Sequence, residues 1–210
     1  MSDLAEIATG IRACPACDLC RTRTQAVPGE GPTTAKVFFL GEGPGYYEDK
    51  SGQPFVGAAG KFLDELLALA GLRRSEVYIT NIVKCRPPNN RDPLDQEIEA
   101  CRDWLDQQLD AITPSVIVTL GRYSMSRYFP GASISRIHGQ AQRIGPYSVV
   151  PMFHPAAALH QARYRSLIEE DFRRLPELLA EVGRNVVAAS APPRTPQHTK
   201  PEEPSQMRLL

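Results

Sequence analysis

Five cysteines carry the most specific spacing in this 210-residue chain. Cys14, Cys17 and Cys20 form a C-x2-C-x2-C run, Cys85 follows a short apolar segment, and Cys101 lies in an acidic segment of helical character. A C-x2-C pair lets two thiolates reach one metal centre, and four thiolates drawn from three segments suit either a tetrahedral zinc or a cubane iron–sulfur cluster. Spacing does not separate the two, and one of the five thiols is surplus to either. The plainer alternative is a set of buried free cysteines with an accidental C-x2-C. The N-terminus, MSDLAEIATGIRAC, has acidic residues and no basic-then-apolar leader, so a cytoplasmic location is expected and a disulfide framework is not.

A second set of chemistry-bearing residues follows apolar runs. KVFFL (36–40) breaks at Gly41-Glu42-Gly43-Pro44-Gly45, VYIT (77–80) ends at Asn81, SVIVTL (115–120) ends at Gly121-Arg122, and YSVVPM (147–152) ends at Phe153-His154-Pro155. The glycines of the first loop let backbone approach a ligand closely. With no G-x-G-x-x-G and no G-K-[ST], a nucleotide cofactor is weakly supported, and a carboxylate in the loop repels phosphate. Glu42 better suits positioning of water or stabilisation of a developing cation, the alternative being a loop carboxylate that caps amides. Phe55, between polar loop and helix, is either core or a stacking surface for a planar ligand. Asn81 offers both a donor and an acceptor, as a nucleobase edge requires, or simply forms a turn. His154 suits donation to an oxygen that gains negative charge, though a lone histidine also serves structure.

These residues need elements to hold them. Gly57–Ala70 has apolar residues at helical spacing and Gly71 as a stop; Asp92-Pro93 reads as an N-cap and first turn of a helix to about Ala111; Gly121 opens a short helix; helices are expected near Pro155–Gln161 and Ser166–Val182. Short buried strands alternating with helices predict an α/β fold with a parallel sheet covered on both faces. Ligands bind beyond the C-terminal ends of such strands, where the polar and glycine-rich residues gather. No apolar run approaches a membrane span. From Ser190 onward the chain has five prolines and no aromatic residue, so residues 186–210 are expected to be a disordered tail after a domain of residues 1–185.

Net charge is zero, which argues against a polyanionic partner only until it is mapped. Residues 1–120 hold 12 basic and 17 acidic side chains, whereas 121–168 hold six arginines (122, 127, 136, 143, 163 and 165), three of the four histidines and no carboxylate. That stretch suits phosphate contact, unless its arginines pair with acids elsewhere in the fold.

Taken together, CPACDLCRTRTQAVPGEG, FFLGEGPGYYEDKSGQPFVGAAGKFLDELL, VYITNIVKCRPPNNRDP, the acidic helix with Cys101, SVIVTLGRYS, RIHGQ and FHPAAAL resemble the type-four uracil-DNA glycosylases, iron–sulfur members of the uracil-DNA glycosylase superfamily. The motifs occur in family order over residues 10 to 180. The resemblance implies a three-layer αβα sandwich with a central four-stranded parallel sheet. It implies a structural [4Fe–4S] cluster on Cys14, Cys17, Cys85 and Cys101, leaving Cys20 spare. It implies hydrolysis of the bond between uracil and deoxyribose in single- or double-stranded DNA, after the base is flipped from the stack.

By the same resemblance, Glu42 and His154 are catalytic: Glu42 orients water and favours a cationic sugar, and His154 donates to uracil O2. Gly43 and Gly45 line the pocket, Phe55 stacks on uracil, and Asn81 reads its Watson–Crick edge. Glu48 crowds C5 and rejects thymine, with Tyr46 and Tyr47 expected to complete that wall. Arg122, Arg136, His138, Gly139 and Arg163 are the expected DNA contacts, and Leu159 is the candidate wedge that fills the gap left by the base. A monomer is expected, with the tail available to a replication or repair partner. His138 departs from the family pattern and raises a second reading, a uracil-DNA binder or covalent trap without turnover. CRPPNNRDP contains no histidine and no insertion where a trapping relative carries its histidine, so turnover is favoured. A third reading, an iron–sulfur electron carrier, rests on the cysteines alone.

Overall fold

The computed structural model describes residues 3–190, and side chains through residue 184. In chain order the elements are α1 (Leu4–Ala13), α2 (Leu19–Thr22), β1 (Val37–Gly41), α3 (Tyr46–Ser51), α4 (Ala58–Leu69), β2 (Tyr78–Asn81), α5 (Asp95–Ile112), β3 (Val116–Leu120), α6 (Arg122–Ser126), α7 (Ile134–Ile137), β4 (Gln142–Ile144), β5 (Tyr147–Met152), α8 (Ala156–His160) and α9 (Arg163–Ser190). The sheet order is β2-β1-β3-β5-β4. Its first four strands are parallel, as expected, and β4 adds a short antiparallel edge. That fifth strand, Gln-Arg-Ile, is polar and three residues long, so it carries no periodic signal.

Alternate strand residues face opposite layers. Phe39, Ile79, Val118 and Val150 pack against α4 and α9 through Phe62, Leu66, Phe172 and Leu175, with the Phe39 and Phe172 rings stacked at 6.1 Å. Phe38, Leu40, Ile117 and Val149 pack against Leu105, Leu109 and Ile112 of α5 and Met125 of α6. Burial of such side chains contributes about 1.5–3 kcal/mol each, so two apolar faces suffice to hold the sandwich. A third cluster joins Ile7 and Ile11 of α1 to Leu19, Val83, Cys85 and Cys101. Among the described residues no helix is long and apolar enough to cross a membrane.

Two boundaries differ from expectation. Asp92 is not the N-cap of α5, which starts at Asp95; Glu97 reaches back to accept the Leu94 N–H at 2.8 Å and pairs with Arg91, leaving Asp92 free to face another element. The expected division at 185/186 falls inside α9, which continues to Ser190; the remainder of the tail lies outside the described residues.

Candidate functional site

The register of the sheet assembles the site. Gly41 lies beside Asn81 across β1 and β2, and Leu120 lies beside Met152 across β3 and β5, so the glycine loop, Asn81, Gly121 and His154 all emerge at one edge. The Gly121 N–H donates to Met152 O at 2.8 Å and the Gly139 N–H to Pro151 O at 2.8 Å, pinning two loops to the end of β5. A cleft of about 520 Å3 opens there, lined by Glu42, Gly43, Pro44, Gly45, Glu48, Phe55, Asn81 and His154 together with Asn90, Asp92 and His160. Each expected catalytic or base-binding residue therefore meets the others in one cavity. A larger depression of about 740 Å3 between α5 and α6 contains none of them.

Asn81 is buried, and its Oδ1 has no hydrogen-bond partner. An orphaned buried acceptor costs free energy, about 1–3 kcal/mol, unless a ligand satisfies it. Room for it depends on Gly41: a Cβ there would lie 2.3 Å from Asn81 Oδ1 and 2.8 Å from the Phe55 ring. Phe55 takes the left-handed backbone conformation at φ 52°, a strained state for a bulky residue. Gly60 of α4 permits it, since a Cβ would overlap the Phe55 carbonyl at 1.8 Å. The Phe55 and His154 rings stack at 5.6 Å, so the same cavity offers an aromatic face and an imidazole.

Burial pushes His154 down to about 4, with the Glu48 charge opposing. Its Nδ1 accepts the Ala156 N–H at 3.1 Å, which leaves the proton on Nε2 as a donor. Glu42 moves the other way: burial first, then the negative charge of Asp92, raise it to about 7, against the opposing charge of Arg122. Glu48 is anchored, its Oε1 accepting the Val56 and Gly57 N–H groups at 3.0 Å each. Tyr46 and Tyr47 do not join Glu48 in the lining; they are 49% and 65% exposed. On a helix, residues two apart point roughly 200° apart, so α3 turns Tyr46 outward as it turns Glu48 inward.

The expected DNA contacts hang from the same edge. Arg122, Arg136 and Arg163 are exposed, and Leu159 on α8 is half exposed. Arg122 pairs with Asp92 at 2.5 Å, Arg127 with Asp106, and Arg165 with Glu65 and Glu169, whereas Arg136, Arg143 and Arg163 have no ion pair among the described residues. Half of the basic stretch is thus neutralised by other elements and half is not. His138 is not free: its Nδ1 lies 2.7 Å from Asp171 Oδ2, and its ring packs on Phe153 at 4.8 Å. Gly139 is buried against Asp171.

Asn90, Asp92 and His160 were missed as cleft residues. The strand-exit rule that located Asn81 stops there, while the chain returns to the cleft six residues later at Pro87 and continues along it through a turn with Asn89 and Asn90 in the left-handed region. The two consecutive asparagines before Arg91-Asp92 were the available signal.

All five cysteines are free and line one small pocket beside Ile11, Arg23, Lys84 and Trp104. Arg23 Nη1 donates to Cys85 Sγ at 3.0 Å, Trp104 Nε1 to Cys14 Sγ at 3.2 Å, and the Lys84 N–H to Cys101 Sγ at 3.4 Å. Burial raises Cys85 to about 11 and also raises Cys17 and Cys101. Among the described residues no three His, Cys, Asp or Glu side chains converge as on a single metal ion.

Comparison with known proteins accords with this geometry. Residues 28–176 match the model of the uracil DNA glycosylase superfamily. The chain is 46% identical over 187 residues to a type-4 uracil-DNA glycosylase of Archaeoglobus fulgidus, covering 85% of this chain and 94% of that protein. It is 47% identical to one of Sulfurisphaera tokodaii (85% and 86% covered) and 42% identical to one of Thermotoga maritima (82% and 93% covered). The chain belongs to the uracil-DNA glycosylase superfamily, and within it to the type-4 uracil-DNA glycosylases.

Proposed function

We propose that this chain is a DNA-repair hydrolase that removes uracil from single- or double-stranded DNA and leaves an abasic site. The observation that carries the reading is the orphaned Oδ1 of Asn81 inside the cleft, an acceptor matched to uracil N3–H. Cytosine presents an acceptor at that ring position and an amine beside it, which reverses the pattern.

Extrusion of the base costs a few kcal/mol, least for a mispaired or unpaired uracil. Phe55 stacks on the base, Gly43 and Gly45 line its edge, and the anchored Glu48 sits where a C5 methyl would need space. As the C1′–N1 bond breaks, its electron pair leaves with uracil as an anion. Neutral His154 donates from Nε2 to O2, where the negative charge develops, and costs no proton transfer beforehand. Glu42 in its ionised form orients water toward the cationic C1′ and takes its proton as the C1′–O bond forms. Leu159 fills the vacated stack, while Arg122, Arg136, His138 and Arg163 hold phosphates; Gly139, expected as a contact, is buried with its N–H already bonded to Pro151 O and instead fixes the loop that carries Arg136 and His138. His138, bonded to Asp171 and outside the cleft lining, supports turnover over covalent trapping.

The cysteine pocket fits a thiolate-bound metal centre: five sulfurs from three segments line it, and three N–H donors reach them, as ligating sulfurs favour. The likeness to the type-4 glycosylases supports an iron–sulfur cluster over zinc. We assign a [4Fe–4S] cluster to Cys14, Cys17, Cys85 and Cys101, with Cys20 spare. When bound, the cluster supplies a structural cross-link. The residues themselves tie α1 and the 14–20 loop to the exit of β2 and to α5, and so brace the loop carrying Asn90 and Asp92.

The activity is assigned to residues 1–185, acting as a monomer on DNA in the cytoplasm. The test is release of free uracil from single-stranded and U:G duplex oligonucleotides by the purified protein. Absence of release from every uracil-bearing substrate would overturn it.

A further inference from the structure

Two large aromatic rings stand in solvent at the rim of the cleft without a part in the reaction. Tyr46 follows Gly45 of the cleft lining, and the Tyr46 and Tyr47 ring centroids are 5.4 Å apart at 83°. Cations cover the first ring: Arg86 Cζ lies 5.1 Å and Lys50 Nζ 5.8 Å from its centroid. Arg86 Nε also donates to Asn90 Oδ1 at 2.6 Å, so the patch is joined to the cleft wall. The carboxylates of α3 are engaged by backbone amides. Glu48 is held by the Val56 and Gly57 amides, and Asp49 is buried, its Oδ1 accepting the Thr24 and Gln25 N–H groups at 2.7 and 3.4 Å.

We propose that Tyr46 and Tyr47, flanked by Lys50 and Arg86, form a stacking site for an unpaired nucleobase next to the flipped uracil, giving the enzyme a grip specific to single-stranded DNA. This rests on the reading of the chain as a uracil-DNA glycosylase. Every base has a π-face, so a platform of exposed aromatics with adjacent cations binds single strands with little sequence preference, the cations tracking the phosphates. A strand that inserts one base into the cleft crosses the Gly45–Tyr46 rim. In a single strand the neighbouring base is free to leave its stack and lie on a tyrosine. In a duplex that base is paired and stacked within the helix, so the platform contributes little. Tyr47, the more exposed ring, offers the open face for the base, and cation–aromatic contacts hold Arg86 and Lys50 at the neighbouring Tyr46 before DNA arrives. An acidic peptide has the charge to meet Lys50 and Arg86, but it lacks the planar groups and the route through Asn90 into the cleft.

The experiment measures binding of the full chain to a labelled thymidine oligonucleotide and to the corresponding duplex by fluorescence anisotropy. Three proteins are compared: wild type, the double substitution Tyr46→Ala with Tyr47→Ala, and the double substitution Tyr46→Phe with Tyr47→Phe. The alanine protein is expected to bind the single strand at least tenfold more weakly and the duplex less than twofold more weakly. The phenylalanine protein, which keeps the rings, is expected to restore single-strand affinity. Thermal melting confirms that the alanine protein is folded; if it is not, Tyr47→Ala alone, at the more exposed ring, gives the same comparison. Equal loss on both DNAs overturns the proposal in favour of a general backbone contact. No loss on either overturns it in favour of a protein partner. Because the oligonucleotide contains no uracil, these outcomes are independent of the uracil-release assay, and a failure of the glycosylase reading is recognised separately.

Discussion

The backbone N–H of Ala156 donates to Nδ1 of His154 at 3.1 Å, so the first residue of α8 selects the tautomer of the residue two positions before it. Burial holds the same imidazole at about 4. The ring is expected to be neutral and protonated on Nε2 throughout the range in which the enzyme works. Nitrogen-15 NMR should show a neutral Nε2–H imidazole for His154 at pH 6, and a cationic ring at that pH would refute the assigned role. His154→Ala should reduce kcat by about 100- to 1000-fold, the usual loss when one donor to a developing anion is removed, with little change in DNA affinity.

Burial raises Glu42 to about 7, and in the proposed mechanism it acts when ionised. The rate is therefore expected to rise as pH passes through 7, and Glu42→Gln should flatten that limb while lowering the plateau about 100-fold or more. Stability runs in the opposite direction. Between its ordinary value near 4.5 and the folded value of about 7, the folded carboxyl holds a proton that the unfolded one has lost. Stability thus falls as pH rises through this window. Melting of Glu42→Gln against wild type at pH 8 and pH 4 checks this: the variant should gain stability at the higher pH only.

Gly41 and Asn81 are coupled through space. Gly41→Ala places a methyl 2.3 Å from the Asn81 oxygen and 2.8 Å from Phe55, so one of them must move. Steady-state kinetics should show loss of uracil excision comparable with Asn81→Ala, about 10- to 100-fold for one buried hydrogen bond. The double variant should lose less than the product of the two.

Removal of a ligand of the proposed cluster is expected to bleach the protein and loosen α1. Cys85→Ser or Cys101→Ser is expected to abolish visible absorbance and bound iron and to lower the melting temperature, because Ile7 and Ile11 pack in the same cluster as these sulfurs. Cys20→Ser should retain the absorbance. Iron analysis and absorption spectra of the variants decide, and a colourless wild type containing zinc would overturn the assignment.

Asp171 holds His138 and lies against Gly139, while Gly139 bonds to β5. Asp171→Ala is expected to weaken DNA binding several-fold and lower thermal stability, whereas Arg136→Ala should weaken binding and reduce its salt dependence without affecting melting. A denaturing gel after incubation with uracil DNA should show no shifted protein band; a covalent band lost in His138→Ala would establish trapping.

What the sequence determined by itself was local. Apolar runs located the four parallel strands within a residue or two, and glycine and asparagine marked their exits, because strand length and turn chemistry depend on near neighbours; the C-x2-C-x2-C run pointed to the three cysteines that share a pocket with Cys85 and Cys101. The family motifs point to Glu42, Phe55, Asn81 and His154 as one site, and the four line one cleft. Tertiary structure decided the rest. It returned Asn90 and Asp92 to the cleft, moved Asp92 from the cap of α5 to Arg122, paired His138 with Asp171, and turned Tyr46 and Tyr47 outward. It also drove Glu42 up and His154 down on the same edge. Burial, desolvation and charge pairing arise from sheet register and from which helix face meets the sheet, and these join residues separated by tens of positions, beyond the reach of any local pattern.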